Sequence, residues 1–265
     1  MFLAIPLYDD TPRLRPPVAT VGIVALCTLV FLWQLSLGAD ASDEVAYSLG
    51  MVPAVVFGSA SLPGSIAVVP PWATLVTSMF LHGGWLHLFG NMLYLWIFGK
   101  GVEAALGAPR FLVLYFACGI AAAFTQAVVD PASQVPMIGA SGAIAGVLGA
   151  YIVLYPRGNV VVFLWIVIIF RLLTVPAAIM LGLWFLLQLI SAASASAATP
   201  GVAVWAHVGG FLVGIPLVAL LRRGGVGMLQ PSRTTSFQMI RPGERRNFGR
   251  GSVPNSGRRP RDPWP

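Results

Sequence analysis

Six stretches of this chain, at about 18–37, 85–105, 110–130, 140–156, 174–191 and 202–221, are predominantly apolar and carry charge only toward their ends. A helix needs roughly 20 such residues to cross the hydrocarbon core of a bilayer. The fourth stretch is short, and it fits if it begins below the surface. Only 9% of the residues are charged, where a soluble domain carries about a quarter. The sequence therefore predicts an all-α membrane protein, a bundle of six transmembrane helices. The stretch 160–173 is also apolar. Arg171, Pro176 and the short gap after Tyr155 and Pro156 argue against a full span, so an interfacial or re-entrant piece leading into the fifth helix is expected.

Charge sets the orientation, because cytoplasmic loops retain Lys and Arg. Arg13 and Arg15 precede the first span, Lys100 and Arg110 bracket the loop after the second, Arg157 and Arg171 follow the fourth, and Arg222 and Arg223 follow the sixth. The loops 38–84, 131–139 and 192–201 hold no Lys or Arg, and Asp40, Asp43 and Glu44 lie in the first of them. Both termini are thus expected in the cytoplasm. Trp33, Trp72, Trp85 and Trp205 fall near the outer boundary, the level that amphipathic rings favour. Three parts follow: a cytoplasmic N-terminal segment 1–17, a membrane domain 18–221, and a basic cytoplasmic tail 222–265. The tail is rich in Arg, Pro, Gly and Ser. Such material is expected to be disordered and weakly drawn to anionic lipid.

The net charge of +7 raises the question of nucleic acid, but the one-sided placement of the basic residues answers it, and no nucleic-acid partner is expected. Met1 to Pro17 has no basic run ahead of an apolar core and does not read as a cleaved signal peptide. Cys27 and Cys118 sit inside apolar runs as small hydrophobes, and no disulfide is expected. No internal repeat of the transporter kind is visible. A single lysine, Lys100, among many arginines, with abundant alanine, suggests a GC-rich bacterial genome and hence a bacterial cytoplasmic membrane.

Polar residues inside the spans are costly and usually serve a function. With the second, fourth and sixth spans all running inward, Trp85, His87, Asn91, Ser141 and His207 converge on one level near the outer leaflet. His87 and Asn91 are four apart and share a helix face. Ser141 stands among Gly139, Gly142, Gly146 and Gly149, and His207 is followed by Gly210 and Gly214. These small-xxx-small patterns let membrane helices approach closely, which would bring Ser141 and His207 within hydrogen-bond reach. A serine hydroxyl becomes a useful nucleophile once a base takes its proton. Glu103 and Asp130 lie at span ends, neither placed to orient His207, so a dyad is expected rather than a triad. The Ser141 backbone N–H, the Asn91 amide and the His87 imidazole are candidate oxyanion donors. Each residue also has an ordinary reading: serine among glycines as packing, a lone histidine as a structural hydrogen-bonder. His82 is expected to fix the outer loop, and Glu103 to brace the inner end of its own helix.

These residues resemble the motifs of the rhomboid family of intramembrane serine proteases. His82-Gly83-Gly84-Trp85-Leu86-His87-Leu88-Phe89-Gly90-Asn91 is similar to the family's second-helix motif, Gly139-Ala140-Ser141-Gly142-Ala143-Ile144-Ala145-Gly146 to its GxSGxxxG nucleophile motif, and Ala206-His207-Val208-Gly209-Gly210 through Gly214 to its sixth-helix motif. The resemblance runs from about Pro17 to Arg223. It implies a six-helix core, Ser141 as nucleophile, His207 as base, and His87 and Asn91 as oxyanion donors. It also implies an outward-opening water-filled cavity, a single-span transmembrane substrate, a mobile fifth helix, and no metal or cofactor. Two departures stand out. Trp72 is followed by Ala73 where many members have arginine, which puts the anchoring of that loop in question. Ala145 stands where some members place an aromatic residue over the base, which leaves open how His207 is held. The expected function is an intramembrane serine endopeptidase. The alternative is a catalytically silent adaptor that binds client transmembrane helices; it should tolerate Ser141→Ala. Substrate identity and oligomeric state are not written in these residues.

Overall fold

The computed structural model describes residues 2–11, 16–166, 169–194, 203–234, 236–237 and 239–240. The apolar stretches form helices. They are α1 (Val18–Ser36), α5 (Trp85–Tyr94), α6 (Lys100–Leu106), α7 (Ala108–Val129), α8 (Ser141–Leu154), α9 (Ala177–Ser194) and α10 (Val204–Leu221). α1, α7 and α10 are each long and apolar enough to cross a membrane, and α8 and α9 are shorter apolar helices. A π turn at Leu95–Gly99 joins α5 to α6 without a break. The loop between α1 and α5 carries the shorter α2 (Ala39–Leu49), α3 (Pro53–Val56) and α4 (Thr74–Thr77). The chain is a mostly helical membrane protein.

α8 is the centre of the bundle. Eleven of its 14 residues are buried, and α7 and α10 pack along it. Glycine makes this possible. A Cβ on Gly210 would collide with the Gly142 carbonyl, one on Gly214 with the Gly146 carbonyl, and one on Gly149 with the Phe211 carbonyl. α8 and α10 therefore touch backbone to backbone along three successive turns, as small-residue faces permit. α9 is held differently. Among its described side chains only Ala177, Leu181 and Ala192 are fully buried, while Ile179, Leu183, Leu186, Leu187, Leu189 and Ile190 are exposed.

The all-α expectation requires correction. β1 (Phe2–Asp9), β2 (Asn159–Ile166), β3 (Ile169–Pro176) and β4 (Met239–Ile240) form an antiparallel sheet in the order β1-β2-β3-β4. The stretch 160–173 is thus an extended hairpin, with Asn159 opposite Pro176 and Ile166 opposite Ile169, rather than a re-entrant piece. Its Val160-Val161-Val162-Phe163 run suits a pleated surface. β1 aligns Phe2 with Ile166 and Asp9 with Val160, with a register shift between Pro6 and Tyr8. An open sheet leaves edge groups that hydrocarbon cannot satisfy, which puts it beyond the apolar layer.

Polar side chains tie the sheet to the bundle. Tyr151 donates to Asp9 Oδ2 at 2.8 Å, and the Asn159 N–H donates to Asp10 Oδ1 at 2.8 Å. Asp10 Oδ2 accepts the N–H groups of Arg233 and Thr234 and the Thr234 hydroxyl. The tail expected to be disordered from 222 onward is therefore packed over 222–234, where Leu229 and Gln230 also donate to the carbonyls of Val153 and Leu154. Composition could not reveal a partner 224 positions away. Residues 241–265 lie outside the described residues.

Glu103 also acts differently from expectation. Its carboxylate accepts the N–H of Ala19 at 2.9 Å, the N–H of Thr20 at 2.8 Å and the Thr20 hydroxyl at 2.7 Å. It caps α1, not its own helix. The first N–H groups of a helix lack internal partners and carry partial positive charge, so a carboxylate is better placed there than in the last turn of α6.

Candidate active site

Ser141 is the first residue of α8, after Gly139 at φ 121°. That left-handed backbone favours glycine, and a Cβ there would meet His87 Nε2 at 2.6 Å. α8 has 14 residues, about 21 Å of helix against roughly 30 Å of hydrocarbon. Its C-terminal end is tied through Tyr151 to Asp9 at the sheet, so the shortfall is at its N-terminus, which has no side-chain cap. The first N–H groups of the helix are free to meet a ligand, and the dipole there favours negative charge.

His207 stands one turn into α10. Its Nε2 lies 2.8 Å from Ser141 Oγ, a normal hydrogen bond. The two residues are 66 apart in sequence, and the glycine contact of α8 with α10 brings them together. His87, Asn91, Ser141 and His207 line one cavity of about 820 Å³, with Trp184 and Gln188 of α9 on its wall. The Gly83 N–H approaches His87 Nδ1 at 3.4 Å; Nδ1 then accepts and Nε2 carries the proton, facing Gly139. Asn91 Nδ2 is buried beside the same glycine, without a hydrogen-bond partner among the described residues. Gly139, Gly142, Gly146, Gly210 and Gly214 are all at points of close approach.

Trp85 packs edge-on to Phe31 at 5.0 Å and stacks on Phe89 at 5.4 Å. His82 is in the turn before α5. Its Nδ1 donates to the Phe80 carbonyl at 3.2 Å, and its backbone N–H donates to Gln34 Oε1 at 3.1 Å. Burial first, and then the neighbouring His87, lower the His82 pKa from 6.5 to about 4, against the Phe80 carbonyl, which raises it. The loop with Ala73 is anchored without an arginine. Met51 and Met137 form a bridge, Ala54 N–H donates to the Ser133 carbonyl, and Gly139 N–H donates to the Ser78 carbonyl.

Two residues at the site were not foreseen. Trp184 tilts over the His207 ring at 6.0 Å, and Gln188 Oε1 lies 2.9 Å from His207 Nδ1. They are four apart on α9 and share a face. Trp184 covers the ring from a different helix than Ala145 would. Gln188 could have been found as the one amide in the fifth apolar stretch, 174–191, a position where polar groups are costly. Among the described residues no cluster of His, Cys, Asp and Glu is arranged to hold a metal.

A half-buried serine hydrogen-bonded to a histidine, with the unpartnered Asn91 amide alongside, can carry out acyl transfer inside a membrane bundle. Residues 70–224 match the Rhomboid domain, and the chain belongs to the rhomboid family. It is 36% identical over 134 residues to rhomboid protease GluP of Bacillus subtilis (strain 168), covering 51% of this chain and 24% of that protein. It is 30% identical over 164 residues to the chloroplastic rhomboid-like protein 11 of Arabidopsis thaliana, covering 58% and 54%. It is 34% identical over 96 residues to the mitochondrial rhomboid protein 1 of Saccharomyces cerevisiae (strain ATCC 204508 / S288c), covering 35% and 28%. The aligned part of this chain thus spans about half or less of each relative's length.

Proposed function

We propose that this chain is an intramembrane serine endopeptidase with Ser141 as nucleophile and His207 as general base. The observation that carries the reading is the 2.8 Å contact of Ser141 Oγ with His207 Nε2 in a cavity of about 820 Å³. Six spans form the membrane domain, over 18–221, with both termini on the arginine-rich, cytoplasmic side of a bacterial membrane. The substrate is a single-span protein whose helix unwinds locally near the outer face, since an intact helix keeps its carbonyls hydrogen-bonded.

In the first half-reaction Ser141 Oγ attacks the scissile carbonyl carbon while His207 Nε2 takes the hydroxyl proton. The negative charge that develops on the carbonyl oxygen is met by the Ser141 N–H, His87 Nε2–H and the Asn91 amide. The tetrahedral species collapses with cleavage of the C–N bond, and His207 returns the proton to the leaving amine. Water entering the cavity then gives a proton to His207 and attacks the ester. The ester bond breaks, the acid product leaves, and the proton returns to Ser141.

The test is cleavage of a single-span reporter in proteoliposomes. Wild type should cleave, and Ser141→Ala and His207→Ala should not. A fluorophosphonate probe should label wild type at Ser141. Equal cleavage by wild type and Ser141→Ala would overturn the reading.

A further inference from the structure

The base candidate has a second hydrogen bond whose consequences reach beyond a dyad. Imidazole has two nitrogens, and only a neutral ring with Nδ1 protonated presents a lone pair at Nε2. Nε2 is the nitrogen that faces Ser141 Oγ, at 2.8 Å. Nδ1 faces Gln188 Oε1 at 2.9 Å, and a carbonyl oxygen only accepts. One turn before Gln188 on the same face, Trp184 lies over the imidazole. Besides Ser141 of α8, the groups set against the ring, Gln188 and Trp184, thus both come from α9.

Resting on the protease reading above, we propose that Gln188 is a positioning residue, which accepts the Nδ1 proton of His207 and so holds the imidazole in the tautomer and orientation that can deprotonate Ser141. The third group of a triad is commonly a carboxylate that fixes the tautomer of the base and stabilises its charged form. An amide fixes the tautomer without adding a charge, which suits a site where a buried anion would be expensive. The arrangement also makes the base depend on α9. This helix is docked by few fully buried side chains, and most of its outer surface is exposed. The inward side carries Phe185, stacked on Phe211 at 4.3 Å, along with Trp184 and Gln188. The base is fully assembled only while α9 lies against α10.

The experiment has two arms. In the first, protein labelled with ¹⁵N-histidine is studied in lipid bilayers by solid-state NMR. Its three histidines make assignment simple, with His207→Ala identifying the signal. Wild type should carry the His207 proton on Nδ1, and Gln188→Met, which keeps the length and removes the acceptor, should move it largely to Nε2. In the second arm, Gln188→Met should lower kcat with little change in KM, by less than the roughly 10⁴-fold that loss of a triad carboxylate costs, since an amide supplies no charge to the imidazolium. Gln188→Glu, which keeps an acceptor at the same reach, should recover much of that loss. A wild-type proton on Nε2, or a Gln188→Met protein with unaltered tautomer and kcat, would overturn the proposal. If Ser141→Ala cleaves as wild type does, the protease reading falls instead, and the tautomer measurement still decides the role of Gln188.

Discussion

Truncating Asn91 to alanine separates a catalytic amide from a structural one, because the two roles predict opposite relations between activity and stability. Asn91 is only 8% exposed, and its Nδ2 finds no hydrogen-bond partner among the described residues. A buried donor left unmade costs about 1–3 kcal/mol in the folded state. Replacing it with alanine removes that cost. It also removes side-chain atoms, but next to an open cavity of about 820 Å³, so the hollow already there grows and no sealed void is created. The expected net change in stability lies within about 1 kcal/mol of zero, from the partial cancellation of these two effects. Activity should respond far more. Loss of one oxyanion donor typically costs about 10²- to 10³-fold in kcat, roughly 2.7–4 kcal/mol. The assay pairs reporter cleavage in proteoliposomes with unfolding in mixed micelles of rising SDS content. A variant that loses stability in step with activity would show that the amide holds the bundle together. One that keeps full kcat would remove Asn91 from the oxyanion site.

Three further outcomes are expected. Glu103→Ala strands two N–H groups of α1 and the Thr20 hydroxyl and should destabilise the protein by about 3 kcal/mol or more, with Glu103→Gln intermediate; an unchanged SDS midpoint would refute the capping role. Gly146→Ala drives a methyl group into Cys118 Sγ at 2.5 Å and the Gly210 carbonyl at 3.1 Å, and should cost about 1–3 kcal/mol together with a fall in fluorophosphonate labelling, since the same contact sets the Ser141–His207 distance. His82 binds its proton more weakly folded, at about 4 against 6.5, so the unfolded state takes up more protons between those values. The stability that neutral His82 confers is complete above pH 6.5 and is lost as pH falls toward 4, on the order of 3 kcal/mol in all; His82→Phe should flatten the pH dependence of the unfolding midpoint, and an unaltered slope would count against it.

How much of this was legible depended on whether a residue's partner leaves a local trace. Apolar stretches of bilayer length marked the helices within a few residues, because a span must satisfy its own backbone whatever surrounds it. His87, Asn91, Ser141 and His207 stood out as polar groups in such spans, and the four-residue glycine spacing on α8 and α10 indicated which faces meet. The sheet left no such trace. β1 and β2 are 150 positions apart, and a short apolar run of the Val160–Ile166 kind reads equally well as strand or buried helix until its partner is known. The same limit applies to Asp10 with Thr234, and to Glu103, which caps a helix that begins 85 positions earlier. Gln188 lay between these cases: visible as an amide in an apolar helix, but silent about which ring it would meet.

Hydrolysis within a bilayer requires water and a developing negative charge where lipid excludes both, and the dimensions of one helix go far toward meeting that requirement. α8 falls short of the hydrocarbon thickness by about 9 Å, so its positive end, with Ser141, lies on the floor of a cavity below the membrane surface. Any residue that lengthened α8 into a full span would fill that space with helix and bury its N–H groups in hydrogen bonds. Beneath the floor, the contacts of Gly146 with Gly214 and of Gly149 with Phe211 bring α8 and α10 together without side chains between them. The glycines on α8 thus have two effects that no larger residue could combine: they set Ser141 beside His207, and they leave no side chain between the two helices directly below.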